Sequence, residues 1–308
     1  MKSLESLLLK GHRATEKELA KALGKTVKSI RQEIDQLRSA GKQILFSKED
    51  KTYYLSDLPT WFSRHTDLNL PDEGEIGCVS DTHLASNAER LDLLNEIYDD
   101  FADSGITTVL HTGDVTDGYC EYRGHQMNVK VYGDAPQAIR VIKSYPKREG
   151  VKTFVISGNH DLDSYPRTKA DRLSLVVNGV DHEGRHYDGR DDIRYLGHYS
   201  AYVRIHGEVT AHHLHTRGSQ SYSLSYKQQK RNENMDNDSR PDLQLSGHFH
   251  TYSHIVAGGT HFIALPGLQD ETEFFKRLGL ARSMGYVKLR YKIRNNKLVS
   301  LSSEVKMF

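Results

Sequence analysis

The chain has 308 residues, 27% of them charged, with mean hydropathy −0.64 and formal net charge +1, so neither a membrane span nor a strongly one-signed polyelectrolyte is expected. Two cysteines, Cys78 and Cys120, make no disulfide framework and no cysteine metal site, which suits a reducing compartment. Glu5 stands where a secretory signal needs its apolar core, so a cytoplasmic protein is expected.

Charge is distributed unevenly: residues 1–60 hold twelve Lys and Arg against eight Asp and Glu. Leu4, Leu7 and Leu8 mark a short first helix. Thr15 and Glu18 have the spacing of a capping box for a second helix carrying Leu19, Ala20 and Leu23, which Gly24 ends. Thr26 caps a third, whose apolar positions Val27, Ile30, Ile34 and Leu37 step by three, four and three along one face. Strand-like runs at 43–47 and 52–55 follow. This order resembles a winged helix-turn-helix over residues 1–58. The resemblance implies that the third helix enters a DNA major groove, with Lys25, Lys28, Arg31 and Gln32 as contacts. The rival reading is a winged helix used for protein contacts. Residues 59–72, with Pro59 and Pro71, read as a linker that Trp61 and Phe62 pack down.

From residue 73 strands alternate with helices, the α/β pattern. A strand at 76–80 ends in Asp81-Thr82-His83, and a helix with Leu91, Leu94, Ile97, Tyr98 and Phe101 on one face follows. The strand at 107–110 ends in His111-Thr112-Gly113-Asp114, and a polar loop leads to a helix around 135–142. The strand at 151–157 ends in Gly158-Asn159-His160-Asp161. Strands through 193–214 end in Ala211-His212-His213, and 243–245 leads into Gly247-His248-Phe249-His250. Two short strands, a helix near 272–278 and a closing hairpin complete the chain. Five apolar runs thus end in carboxylate, amide or imidazole groups, and strand ends about 4.8 Å apart can bring such groups to one pocket. The donor set lacks thiolate and exceeds what one tetrahedral ion needs, so two divalent ions, Mn, Fe, Zn or Ni with Mn favoured, are expected.

The series Asp81-x-His83, Gly113-Asp114-x-x-Asp117, Gly158-Asn159-His160-Asp161, a strand-end histidine and Gly247-His248-x-His250 resembles the calcineurin-like metallophosphoesterases. The resemblance implies a two-sheet core flanked by helices over residues 73–308. It implies one ion held by Asp81, His83, Asp114 and His250, and a second by Asp114, Asn159, His248 and the strand-end histidine. Alternation puts His212 and His213 on opposite faces, and the resemblance points to His212, ahead of His215. His160 is the implied proton donor, oriented by Asp161. Gly118 follows Asp117 where protein Ser/Thr phosphatases of the superfamily have Arg, which argues against that class. The blocks look more like those of cyclic-nucleotide phosphodiesterases and DNA-repair nucleases. Tyr119 and Arg123 are expected substrate contacts, and the basic stretch with Lys227, Lys230 and Arg231 is either a backbone-binding strip or a solvated face. The reading is a phosphodiesterase acting on nucleic acid with DNA as partner. Its rivals are a phosphomonoesterase or cyclic-nucleotide phosphodiesterase whose winged helix serves assembly, and a non-enzymatic DNA-binding regulator.

Overall fold

Thr15 accepts a hydrogen bond from Glu18 N at 3.3 Å, and the Glu18 carboxylate accepts one from Thr15 N at 2.8 Å, so the expected capping box opens the helix Glu16–Leu23. Gly24, at φ 65°, ends it in the left-handed conformation. Thr26 caps Val27–Ser39 by accepting from Ser29 N. These features belong to a computed structural model that describes residues 3–8, 12–40, 42, 44–48, 50–55, 65–216, 218, 226–235 and 240–308. The expected packing residues Trp61 and Phe62, and the junction 56–64 around them, lie outside the described residues.

The chain divides into two compact units: residues 1–67 with 232–240, and residues 68–231 with 241–308. In the smaller unit, three helices (Leu4–Leu8, Glu16–Leu23, Val27–Ser39) and the antiparallel pair Ile44–Ser47 and Thr52–Leu55 enclose Leu4, Leu8, Leu19, Ile30, Ile34, Ile44 and Tyr53. Ala14 bridges to Tyr53 at the hairpin's edge.

The larger unit has two mixed sheets flanked by helices. In the first the strand order is Lys297–Met307, Gly285–Arg294, Glu73–Val79, Thr108–His111, Lys152–Ser157, Ile193–His198, and the last four are parallel. Within this unit the second sheet runs Ser253–Ala257, Thr260–Ala264, Leu243–Gly247, Val209–His215, Ser200–His206, with its three middle strands parallel. Ile76, Cys78, Leu110, Val287 and Leu289 from the first sheet share an apolar layer with Val203, Ala211, Leu243, Leu245 and Ile263 from the second. The first sheet's other face packs Val79, Val109 and Val155 against Leu94, Ile97 and Phe101 of the helix Leu91–Asp103 and Ala138 and Val141 of Asp134–Ser144. Val79 pairs with His111, His111 pairs in turn with Val155, and in the second sheet His215 pairs with Gly247. These parallel registers bring the carboxyl ends of neighbouring strands level, which is where the polar blocks begin. Among the described residues no helix is long and apolar enough to cross a membrane.

Candidate metal centre and active site

Three of the polar blocks leave their strands through a backbone that side chains rarely adopt. Asp81, His83, Asp114, His248 and His250 all have positive φ, between 43° and 85°. Such residues persist only where their surroundings over-determine them, and they cluster at functional sites. At Gly158 a Cβ would collide with the Asp114 carboxylate, so only glycine fits there.

Three groups of donors result, and the third, His83, Asp117 and His160, shares a histidine with the first. In the first, ligand atoms of Asp81, His83 and His250 lie within 4.8 Å of one another, with the Nε2 atoms of His83 and His250 3.2 Å apart. In the second, Asp114, His215 and His248 meet the same limit. His215 Nε2 lies 3.1 Å from Asp114 Oδ2 and 3.0 Å from Asn159 Oδ1. Asp114 Oδ2 is also 3.9 Å from His83 Nε2, so this carboxylate stands between the clusters.

The ring tautomers are set from behind. His83 Nδ1 meets Asp117 Oδ1 at 3.0 Å, and His215 Nδ1 donates to the Thr112 carbonyl at 2.8 Å, which turns both Nε2 atoms toward the clusters. Asp117 also meets His125 Nε2 at 3.2 Å. Burial alone would lower the His83 and His215 pKa values, but Asp117 and Asp114 beside His83, and Asp114 beside His215, raise both to about 9. Burial and its charged neighbour His83 push His250 well below the usual imidazole range, and burial with His215 takes His248 down to about 4. Burial pushes Asp81 upward, and Asp114 adds to this. The donors are oxygen and imidazole, buried and mutually repelling in part, and divalent cations fit such a set.

His160 lines the same cavity, and its Nδ1 donates to the Asp117 carbonyl at 2.5 Å, leaving Nε2 available. Its backbone N–H donates to Asp114 Oδ1 at 2.9 Å.

Three expectations are corrected. His212 does not join the site: its ring stacks on Tyr202 with centroids 4.3 Å apart. The strand continues to His215, two residues past His213, so the strand-end histidine is His215. Asp161 does not orient His160. It is fully buried and accepts from Gly158 N at 2.9 Å, Val115 N at 3.2 Å and Thr116 N at 2.8 Å, which ties two site loops together. Tyr119 and Arg123 do not line the cavity: the Tyr119 hydroxyl donates to Asp134 at 3.2 Å, and Arg123 is exposed. Their neighbours Glu121 and Tyr122 line it instead, and Asn159 Nδ2 donates to Glu121 Oε1 at 3.0 Å. Nothing in the local sequence separates these loop residues, since each reaches the site through the loop's path.

In the smaller unit Lys25 pairs with Glu33 at 2.6 Å, and Arg31 donates two 2.7 Å hydrogen bonds to Glu16. Lys28 and Gln32 are exposed. Of the basic stretch, Lys227 lies over the Phe249 ring at 5.2 Å, and Lys230 over Tyr226 at 5.8 Å.

Among curated proteins none matches the chain. Solved structures similar to it include an archaeal phosphodiesterase (14% identity, TM-score 0.39, 76% of this chain and 100% of that one). Others are vacuolar protein sorting 29 of Cryptosporidium parvum (15%, 0.39, 77% and 100%) and a conserved protein of Streptococcus pneumoniae described as a predicted phosphoesterase (14%, 0.36, 76% and 98%). The family model for calcineurin-like phosphoesterase matches residues 74–252, more than half of the chain and the span that holds every donor described above. The chain belongs to the calcineurin-like phosphoesterase family.

Proposed function

We propose that the chain hydrolyses phosphodiester bonds of nucleic acid, and that its N-terminal unit is a winged helix that engages DNA. The observation that carries the catalytic part is the convergence of two donor clusters with His160 on one cavity. Asp81, His83 and His250 would hold one divalent cation, Asp114, Asn159, His215 and His248 a second, and Asp114, between the clusters, would serve both. Oxygen and imidazole donors together suit Mn, Fe, Zn or Ni, of which manganese is the ion proposed. Such ions acidify water and withdraw charge from a phosphoryl oxygen.

The chain's own groups do the remaining work. The Asp117 carbonyl holds the His160 Nδ1–H, so that in the imidazolium form Nε2–H can give its proton to the departing oxygen as the bond to phosphorus breaks and water, losing a proton, bonds on the opposite side, leaving the neutral Nδ1–H tautomer. The aromatic and aliphatic walls of the cavity suit a diester with a bulky substituent. The DNA part is supported by the order of three helices and a hairpin and by exposed Lys28 and Gln32 on the third helix. The protein would act in the cytoplasm, as its two free cysteines suit.

The test compares bis(4-nitrophenyl) phosphate with 4-nitrophenyl phosphate on the manganese-loaded full chain. A higher kcat/KM for the diester is expected. A clear preference for the monoester would replace this reading with a phosphomonoesterase.

A further inference from the structure

The cavity over the donor clusters has a volume of about 610 Å³, within the roughly 300–1,000 Å³ usual for small-ligand sites. Its floor is polar, with Asp114, His160, His248 and His250, but one wall is aromatic: Tyr122, Phe274 and Phe275. That wall is held in place at several points. Thr272 caps the helix Glu273–Leu278, and Gly279, at φ 59°, ends it. The Tyr122 hydroxyl accepts from Asn128 Nδ2 at 3.1 Å, and its ring stacks on buried His125 with centroids 4.3 Å apart. The Tyr122 and Phe274 rings are nearly parallel, 24° apart in plane with centroids at 5.4 Å. Phe275 stands at 90° to Phe274 and packs against the donor His250 at 4.9 Å. The wall therefore begins one ring's distance from the floor, within reach of a group joined directly to a bound phosphate.

We infer that Phe274, Phe275 and Tyr122 form a subsite for a planar aromatic substituent of the diester, a nucleobase or another aryl group, next to the scissile phosphate. The inference rests on the diester reading and names what the site selects. A flat group can lie along one ring face of the corner that Phe274 and Phe275 make and meet the other edge-on, the geometries aromatic pairs prefer. Base stacking on aromatic side chains tolerates any base, so no sequence preference is expected from this wall. Leu278, 51% exposed at the cavity's rim, adds apolar surface that such a group would cover.

The experiment uses the manganese-loaded full chain and the dinucleotide d(TpT), with analogues in which a base is absent or replaced by phenyl. Both kcat/KM and the calorimetric Kd are measured, so the answer does not depend on turnover. Removing the bases should weaken binding and kcat/KM on the order of tenfold. Phenyl in place of the base should restore both if planarity suffices; restoration by the base alone would identify a nucleobase as the occupant. In Phe274→Ala the ratio of base-bearing to abasic dinucleotide should fall toward one, Phe274→Leu should behave like Phe274→Ala, and Phe274→Trp should retain the ratio. A wild-type ratio near one, or a ratio that survives Phe274→Ala, overturns the subsite. Base-dependent binding without hydrolysis would instead remove the diesterase reading and leave the subsite standing.

Discussion

The two units of the chain are stabilised by different means. In the smaller one, caps, a helical stripe and a short hairpin all agree with local preference, and Lys51 is its only described non-glycine residue with positive φ. In the larger one, twelve described non-glycine residues have positive φ, and five of them, Asp81, His83, Asp114, His248 and His250, follow strands and carry candidate metal donors. Local rules fail where chemistry is placed, and the surrounding hydrogen bonds hold what those rules would reject.

The sharpest way to break this comparison is to remove the carboxylate between the clusters. Asp114→Asn should lower turnover by more than the roughly 100-fold that even outer partners of a metal site can cost, with the fold retained. Circular dichroism and metal analysis beside the rate would check it, and a fully loaded variant with near wild-type rate sinks the assignment.

His160→Asn should reduce kcat by about 10²–10⁴-fold while leaving metal content unchanged. The loss should shrink for nitrophenolate, which needs no proton on departure. Equal losses for good and poor leaving groups would remove the acid role.

Stability gives a third contrast. Arg172 is fully buried, pairs with Asp163 at 2.5 Å and Asp134 at 2.8 Å, and donates to the carbonyls of His160 and Asp161. Arg172→Met should cost about 3–5 kcal/mol, read by denaturant unfolding, because it strands buried carboxylates. Burial opposes the charge on Asp163, yet Arg172 holds its pKa below the usual carboxylate range. Its contribution is therefore present above the unfolded value of about 4 and is lost as pH falls through the lower folded value. The gap between variant and wild type should narrow on acidification, and a gap that widens would contradict the pairing.

The two strand histidines should separate next. His215→Ala should weaken binding of the second ion, whereas His212→Ala should keep the metal stoichiometry and lose only packing against Tyr202. Equal losses of metal would return His212 to the site.

The smallest effect belongs to the N-terminal unit. A chain beginning at Leu68 should keep small-diester hydrolysis and bind duplex DNA more weakly. The slope of log affinity against log salt should flatten by about 0.9 for each phosphate that is no longer neutralised. Lys28→Ala alone should flatten it by the value for a single phosphate. An unchanged slope would favour the protein-contact reading.

The donors Asp81, His83, Asp114, Asn159, His248 and His250 are legible in the sequence because each lies within a few residues of a strand end, so local pattern locates it. His215 is harder to find because the strand runs on past Ala211-His212-His213, and a shift of strand end changes which side chain arrives. The role of Asp161 depends on Thr116, 45 residues away in sequence, which no local pattern reveals. Lys25 and Arg31 read as DNA contacts, but Glu33 on the third helix meets Lys25 in the turn before it, and Glu16 on the second helix meets Arg31. The aromatic wall joins a loop to a helix near the far end of the chain, and only folding puts Tyr122 beside Phe274.

The Asp161 carboxylate fastens the loop holding Asp114 to the loop holding Asn159 and His160, without reaching the cavity. These hydrogen bonds constrain the spacing between the donors of the two loops. Loss of Asp161 is expected to lower activity through the loops that it rivets together, since its carboxylate lies outside the cavity.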